Sequence, residues 1–428
     1  MKITVSKDYL DKYLLSAAVS LLLFFYIYSP RVIYLPINFG YLSILIGFLY
    51  FSIGNNITKL IGLFRSKIFL TFLYFYFFCI VYAVIVLIFS DEKDNNVFLI
   101  TYIRLLIDIV FVIPFFVIIL KDELNYTIED FLKKLLLIGV VQGVIATLMI
   151  VIPPLKDFTF AYIFDIPSDK LLNQAYRGFG ISSDFYLTTP LFQAVVFAIN
   201  TKFYLEKGKK YLLYYPFILI SMVLNARTSI VIIPILFIVI FIMSFYYNEF
   251  RYIRKLSSLF ISFVGLIILL GFYFVLNPDK LQTVIWLLQG IMGAVGALTG
   301  TGQSATLNII ILKQIHFPHH TWQVIFGEGL IVFGNINSPV ESDLGYIRYI
   351  YYGGLMLSAL FYFNIYNFAR SCIALTSDNF LKILLISTTA LIFITQFKGD
   401  VFNSSAFMKG VFLIQTFMLY KRSDSVKG

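Results

Sequence analysis

The sequence predicts an all-α fold: a polytopic membrane bundle of about twelve transmembrane helices, forming one integral membrane domain over residues 1–428. Composition supports this, because 60% of the residues are hydrophobic and only 13% are charged, which excludes a soluble globular domain. Long apolar runs also recur along the chain, and the segments between them are by turns rich and poor in Lys and Arg. The net charge of +10 is expected to face anionic lipid headgroups, and no nucleic acid partner is expected.

Each apolar run is close to the length that crosses a hydrocarbon core of about 30 Å, although a few are short. In chain order, the candidate spans are 13–29, 32–53, 68–90, 97–120, 134–153, 184–204, 211–226, 228–247, 256–276, 344–368, 381–396 and 405–420. The run 211–226 is one of the short ones, since a helix rises about 1.5 Å per residue. We therefore expect the turn Asn225–Ser229 to lie slightly below the outer membrane surface, with Arg227 in a recess.

Basic residues mark every second segment between the spans. With a cytoplasmic N-terminus, each inside segment carries two or three Lys or Arg residues, and the short outside segments carry fewer. The inside residues are Lys2, Lys7, Lys12, Lys59, Arg65, Lys67, Lys121, Lys133, Lys134, Lys207, Lys209, Lys210, Arg251, Arg254, Lys255, Arg370, Lys382, Lys421, Arg422 and Lys427. This pattern predicts a multi-pass protein of the cytoplasmic (inner) membrane with both termini in the cytoplasm.

Two segments on the predicted outer side are too long to be simple turns. They are 154–183 and the larger 277–343, which lies between the ninth and tenth spans. Loops of this length in a compact protein are usually functional. The apolar stretch Leu281–Leu298 resembles a further span, but one extra crossing would place the basic C-terminal segments outside. We therefore expect the large loop to pack on the bundle and to form part of an outer-face site.

Charged side chains at membrane depth are costly and usually face a bundle interior or a cavity. Arg104 and Asp108 lie one helical turn apart in the fourth span, either as a self-neutralising pair or as groups lining a cavity below the outer site. Guanidinium groups at headgroup level suit a lipid-linked pyrophosphate, whose paired oxygens they bind bidentately. For Arg227 the alternative is a side chain that extends to the headgroups. The cations expected to contact pyrophosphate are Arg177, Arg227, Arg348, Arg104 and Lys398.

Displacement at a sugar carbon also needs a base that removes a proton from the acceptor hydroxyl. The candidate catalytic residues are His319, His320, Asp343 and Glu328, in or beside the large outer loop. Imidazole titrates near neutral pH, so the two histidines are favoured, His319 first, although loop histidines are more often merely solvated. Asp343 is expected to pair with Arg348, which makes it a weaker base. We expect no metal and no cofactor, because no cysteine near the histidine cluster completes a zinc site.

Four short patterns lie in order on the predicted outer face. They are Arg177–Asp184, Asn225–Thr228, the stretch from Ser304 that ends in Ile325–Gly329, and Ser342–Tyr346. Together with the predicted topology, these patterns resemble those of the Wzy-type O-antigen polymerases. The corresponding features of that family are, in the same order, an Arg-x-x-Gly segment, a Ser-Arg-Thr turn, a helix ending in Phe-Gly-x-Gly and an Asp-Ser/Asn-x-Tyr segment. The superfamily also holds the O-antigen ligases. The chain departs from this family at Ser304–Leu307, where an Arg is often found, and Lys313 or Arg348 is the candidate replacement.

The resemblance implies a GT-C-like, metal-independent inverting glycosyltransferase that joins undecaprenyl-pyrophosphate-linked oligosaccharide repeat units into the O-antigen of lipopolysaccharide or a related surface polysaccharide. It implies an active site on the outer face. The implied partners are the lipid-linked oligosaccharide, membrane lipids, a chain-length regulator and a flippase. Three alternatives stay open: an O-antigen ligase with lipid A core as acceptor, a polysaccharide flippase or other transporter, and a scaffolding membrane protein. Matching halves with broken helices would indicate a transporter, and the sequence has no such halves.

Overall fold

The structure is a computed structural model in which most described residues are helical. It describes residues 7–32, 38–54, 56–90, 96–163, 180–182, 187–226, 229–261, 263, 314–333, 338, 340–402 and 405–420. Within these ranges there is no β-strand, and an isolated bridge joins Arg31 to Asn38. The predicted all-α class is therefore confirmed for the part of the chain that the structure describes.

The helices follow one another with short connections. They are α1 (Lys7–Tyr28), α2 (Phe39–Ser52), α3 (Asn56–Phe64), α4 (Lys67–Phe89), α5 (Val97–Ile107), α6 (Ile113–Ile118), α7 (Ile128–Val151), α8 (Pro153–Tyr162), α9 (Thr188–Lys207), α10 (Tyr215–Asn225), α11 (Ser229–Tyr246), α12 (Thr321–Phe326), α13 (Gly345–Leu375), α14 (Asn379–Thr395) and α15 (Ala406–Leu419). The π-helical segments Asp108–Val112 and Ile119–Glu123 make α5 and α6 one continuous unit, and a 3₁₀ turn, Lys209–Tyr214, precedes α10.

Helices occupy eleven of the twelve candidate spans, and the remaining segment, 256–276, is described only in part. By length and composition, four helices among the described residues could each cross a membrane: Leu10–Tyr28, Lys67–Phe89, Val97–Glu123 and Ile128–Val151. The pair α2 and α3, bent by 104°, could supply a fifth crossing. The helices thus suit a membrane protein with several spans, whereas the total of twelve stays a prediction.

The two predicted outer loops are described only in part. The first, 154–183, is not wholly a loop, because α8 occupies its start, and residues 164–179 lie outside the described ranges. Proline pre-sets the backbone angle of a first helical turn, and Pro153 begins α8 in this way. Of the large loop 277–343, residues 314–333, 338 and 340–343 are described, and the stretch Leu281–Leu298 is not among them.

The centre of the bundle is formed by α9 and α15, whose side chains are nearly all buried. A Cβ on Gly410 would lie 2.4 Å from the ring of Phe192, so glycine allows α15 to approach α9 this closely. By contrast, α4 lies at the periphery and exposes large apolar side chains, among them Leu70, Phe77 and Ile88. An apolar exposed face of this kind is expected of a helix that contacts lipid.

Contacts between helix ends define two ends of the bundle. At one end, Lys409 Nζ near the start of α15 donates to Ser29 Oγ after α1 at 2.8 Å. Gly345 N–H, at the start of α13, donates to Gln396 O after α14, also at 2.8 Å. The segment 314–333 contacts this same region, so we name it the loop end. The described part of the large predicted outer loop therefore lies at the same end of the bundle as the end of α1 and the starts of α13 and α15.

We name the opposite end the basic end, because most of the predicted inside Lys and Arg residues lie there. Lys202, only 4% exposed, pairs with Glu206 at 2.7 Å and with Asp378 at 2.9 Å. Burial raises the pKa of Asp378, but the hydrogen bond and charge of Lys202 outweigh it and hold that pKa below its usual value. Since Asp378 Oδ1 also accepts from Phe380 N–H at 2.8 Å, it caps α14 and ties it to α9.

We predict that the basic end faces the cytoplasm. In a variant without the buried Cys79 and Cys372, Lys209→Cys should resist an impermeant thiol reagent in intact cells, whereas His316→Cys should react. Both cysteines should react in lysed cells, which controls for access. Labelling of Lys209→Cys in intact cells would show that the orientation is the reverse.

Candidate functional site

A candidate site at the loop end is built from α12, the residues that follow it and the first half of α13. Gly327 has φ +81°, and Gly354, where α13 is kinked, has φ +67°. Both values favour glycine, and a Cβ on Gly354 would lie 2.5 Å from the backbone nitrogen of Gly327. Glu328 N–H then donates to Tyr351 O at 3.0 Å. The chain after α12 is thus held against the kink of α13.

Helices α4 and α5 contact the chain after α12 and the adjoining part of α13. Tyr82 Oη on α4 donates to Phe326 O at 3.0 Å, and Tyr352 Oη on α13 donates to Ala83 O at 3.2 Å. The ring of Phe98, in the first turn of α5, stacks on Tyr352 with centroids 4.4 Å apart. Four separate parts of the chain therefore meet at this point.

Arg348 lies on α13, one helical turn before Tyr352, and its guanidinium lies between two aromatic rings. Its guanidinium carbon is 5.7 Å from the centroid of Phe98 and 5.1 Å from that of Phe333. Such cation–π contacts hold the plane of a guanidinium and leave its N–H groups free to bind a ligand. Its Nε is buried without a hydrogen-bond partner, and no carboxylate pairs with Arg348 within the described ranges. Arg348 thus carries a positive charge that the described carboxylates do not neutralise.

The expected ion pair between Asp343 and Arg348 is wrong. Asp343 Oδ2 instead lies 3.1 Å from Lys398 Nζ, and both side chains are partly exposed, at 27% and 42%. The reason is the turn after α14, which the backbone bond from Gly345 to Gln396 holds beside the start of α13. An ion pair this exposed contributes little to stability, so the predicted cation Lys398 and the predicted base Asp343 form a pair that a charged ligand can open.

The other base candidates differ in their surroundings. His319 and His320 are exposed, and His320 caps the start of α12, where its N–H donates to Gln323 Oε1 at 3.1 Å. The Nε2 of Gln323 donates to Glu328 Oε2 at 2.8 Å. Glu328 is only partly exposed, and its backbone is fixed on α13. The Glu328 carboxylate is therefore hydrogen-bonded and partly buried beside α13, whereas both imidazoles are exposed.

The remaining predicted cations are not all placed together. Arg104 is exposed whereas Asp108 is only 2% exposed, and the helix changes to π-helical geometry at Asp108. Among the described residues no ion pair joins Arg104 to Asp108, so the structure does not support the self-neutralising pair. Arg177 and Arg227 lie outside the described residues. Next to Arg227, Ser229 Oγ donates to Met222 O at 2.7 Å, which closes the turn between α10 and α11.

One buried cation was not predicted from the sequence. Lys409 is 4% exposed, and its ammonium donates to Tyr26 O at 2.9 Å and to Ser29 Oγ at 2.8 Å. It also lies 4.7 Å from the ring centroid of Tyr26. A buried charge needs such partners, so Lys409 joins α15 to α1 at the loop end. The signal was present in the sequence, as a lysine within the apolar run 405–420.

The donor set at the loop end is one of arginine, lysine and carboxylate groups. Within the described residues, no cluster of three or more His, Cys, Asp or Glu side chains could hold a metal ion. Arg348 and Lys398 are cations that can bind an anion, and the carboxylates of Asp343 and Glu328 can accept a proton. Comparisons of the chain with protein-family models, with curated proteins and with solved structures found no match.

Proposed function

We propose that this protein joins undecaprenyl-pyrophosphate-linked oligosaccharide repeat units into O-antigen or a related surface polysaccharide at the outer face of the cytoplasmic membrane. It would act as a metal-independent inverting glycosyltransferase. The observation that carries the proposal is the charge of Arg348, which is held between two rings at the loop end of an apolar helical bundle. A fixed cation at the end of membrane helices suits an anionic ligand at headgroup level.

The donor pyrophosphate is the group that Arg348 would bind. A planar guanidinium donates two parallel hydrogen bonds to neighbouring phosphate oxygens, and it keeps its charge at any physiological pH. Lys398, once released from Asp343, would supply a second positive charge. Arg177, Arg227 and Arg104 stay further candidates from the sequence. These cations would stabilise the negative charge that grows on the leaving group.

The reaction is a displacement at the anomeric carbon of the donor sugar. A base removes the proton of an acceptor hydroxyl as that oxygen attacks the carbon, and a new C–O bond forms. The bond from the same carbon to the pyrophosphate oxygen breaks, and its electron pair leaves with undecaprenyl pyrophosphate. Because attack comes from the face opposite the leaving group, the anomeric configuration is inverted.

Among the base candidates, the surroundings of Glu328 support it ahead of His319, His320 and Asp343. Its backbone bonds to Tyr351, one helical turn from Arg348, and Gln323 orients its carboxylate. The two histidines are exposed. A base must be held in position relative to the group it deprotonates, and this favours the ordered carboxylate over exposed loop side chains.

We predict that Glu328→Gln lowers polymer formation about 10²- to 10⁴-fold, the usual contribution of general base catalysis. The double variant His319→Ala/His320→Ala should keep most of the activity. Glu341→Gln is the matched control, because Glu341 is an exposed carboxylate near the same site. Turnover of lipid-linked oligosaccharide in membranes measures all three. Loss of activity in the histidine variant with an active Glu328→Gln would transfer the role to the imidazoles.

A deletion strain tests the proposal in cells. A polymerase defect leaves single repeat units at the surface, attached to the lipid or to its final acceptor. A ligase defect leaves long polymer on undecaprenyl pyrophosphate and none on lipid A core, and a flippase defect traps lipid-linked repeats inside the cell. A full-length surface polymer in the deletion strain would eliminate the first of these roles.

A further inference from the structure

A cleft of about 190 Å³ lies between α4 and α13 at the basic end of the bundle. Its lining combines polar groups with apolar side chains: Lys67, Ile68, Thr71, Phe72, Asn367, Phe368 and Ser371. Phe72 and Phe368 are buried beneath it, with ring centroids 4.4 Å apart. Asn367 is roughly 28 Å along α13 from Arg348, at 1.5 Å per residue, so this cleft is separate from the loop-end site.

Positive charge surrounds the cleft. Lys67 is exposed and forms no ion pair within the described part of the chain. Arg65 precedes it by two residues, Arg370 is next to Ser371, and both arginines are exposed. An acidic pair at this end, Asp122 and Glu123, is engaged by Lys59, at 3.9 and 2.8 Å. The cleft therefore combines hydrogen-bond donors with cations that attract an anion.

The surface beyond the cleft is apolar. On α4 the side chains of Leu70 and Tyr74 are 56% and 61% exposed, and on α13 those of Phe363 and Tyr366 are 54% and 50% exposed. Toward the basic end, the surface of α4 and α13 therefore changes from exposed apolar side chains to the polar groups of the cleft and then to cations. A bilayer changes in the same order, from acyl chains to phosphate at the headgroup.

We propose that the cleft is a binding site for an anionic phospholipid. The phosphate would accept hydrogen bonds from the Lys67 ammonium, the hydroxyls of Thr71 and Ser371 and the amide of Asn367. The acyl chains would lie along the exposed face that includes Leu70. Charge complementarity selects an anionic lipid, because a zwitterionic headgroup brings a positive charge that Lys67, Arg65 and Arg370 oppose. The continuous apolar face selects a lipid over free phosphate.

Native mass spectrometry of the full-length protein tests this, with phosphatidylglycerol and phosphatidylcholine as probes. The wild type should retain phosphatidylglycerol in preference to phosphatidylcholine. Lys67→Gln should weaken retention of phosphatidylglycerol about fivefold, which corresponds to one surface cation. Arg254→Gln is the control, since Arg254 is an exposed cation that does not line the cleft, and retention should not change.

A second variant separates binding from folding. Thr71→Val removes one donor with little change in shape or charge, so it should weaken retention even if Lys67→Gln destabilises the protein. Equal retention of the two lipids by the wild type would overturn the proposal, as would unchanged retention in both cleft variants. Displacement of the lipid by millimolar inorganic phosphate would identify a free-anion site and would also overturn it.

Discussion

Replacing Arg348 by Lys is expected to lower polymer formation about 10²-fold or more, the usual loss when one donor to a developing negative charge is removed. Lysine keeps the charge but cannot form two parallel bonds to pyrophosphate, and it does not stack between Phe98 and Phe333 as a planar guanidinium does. Arg348→Ala should lose still more. Polymer length and amount in membranes of a complemented deletion strain measure the effect.

Arg370→Lys is the matched control for this prediction. Arg370 is an exposed arginine near the other end of the same helix, α13, so its replacement by Lys should leave polymer formation unchanged. Protein levels of all variants should match the wild type. An active Arg348→Lys variant would mean that bidentate binding at this position is not needed, and full activity of Arg348→Ala would remove the residue from the donor site.

Replacing Gly354 by Ala is expected to detach the loop-end segment from α13 and to abolish activity. The new Cβ would lie 2.3 Å from Ile325 O and 2.5 Å from Gly327 N, both backbone atoms that cannot rotate away. The variant also carries a side chain at φ +67° and ψ −171°, a backbone region almost restricted to glycine that costs other residues about 1–3 kcal/mol. We expect a total loss of about 3 kcal/mol or more, within the range of severe single substitutions.

Gly54→Ala separates the cost of the backbone angle from the cost of the close contact. Gly54 has nearly the same backbone angle, φ +62°, but nothing lies within 4 Å of a Cβ built there. It should therefore lower the thermal stability only slightly and keep polymer formation. Limited proteolysis after residue 320 would detect a detached segment in Gly354→Ala. If the two variants lost equal stability, the close contact at Gly354 would not be what holds the site together.

The sequence predicted the helices well because their apolar runs are long. The helix boundaries that differ from the prediction are those set by local chemistry, such as that of α8, which begins at Pro153 and continues into the predicted loop 154–183. The π-helical turn at Asp108 was also not predictable, since hydropathy does not record how a backbone is wound. The predicted number of membrane crossings rests on the alternation of basic and charge-poor segments along the sequence. The packing of the helices does not test that number.

The candidate site was predictable only residue by residue. Arg348, Asp343 and Lys398 were found because charged groups are rare in this chain. Their partners were not, because Phe98 comes from α5 and Phe333 from the chain after α12, about 235 positions apart in the sequence. Asp343 was given the wrong partner for the same reason. Nearness in sequence suggested Arg348, whereas packing of the turn after α14 brings Lys398.

The activity that we propose for this protein is the formation of glycosidic bonds between lipid-linked repeats. The most direct measurement uses the purified protein in liposomes with undecaprenyl-pyrophosphate-linked oligosaccharide as the only glycan, and no added metal or cofactor. The account predicts a ladder of products spaced by one repeat unit, with one undecaprenyl pyrophosphate released for each bond, and no ladder with Arg348→Ala. Substrate that crosses the bilayer without any new glycosidic bond would contradict the account and would indicate a transporter instead.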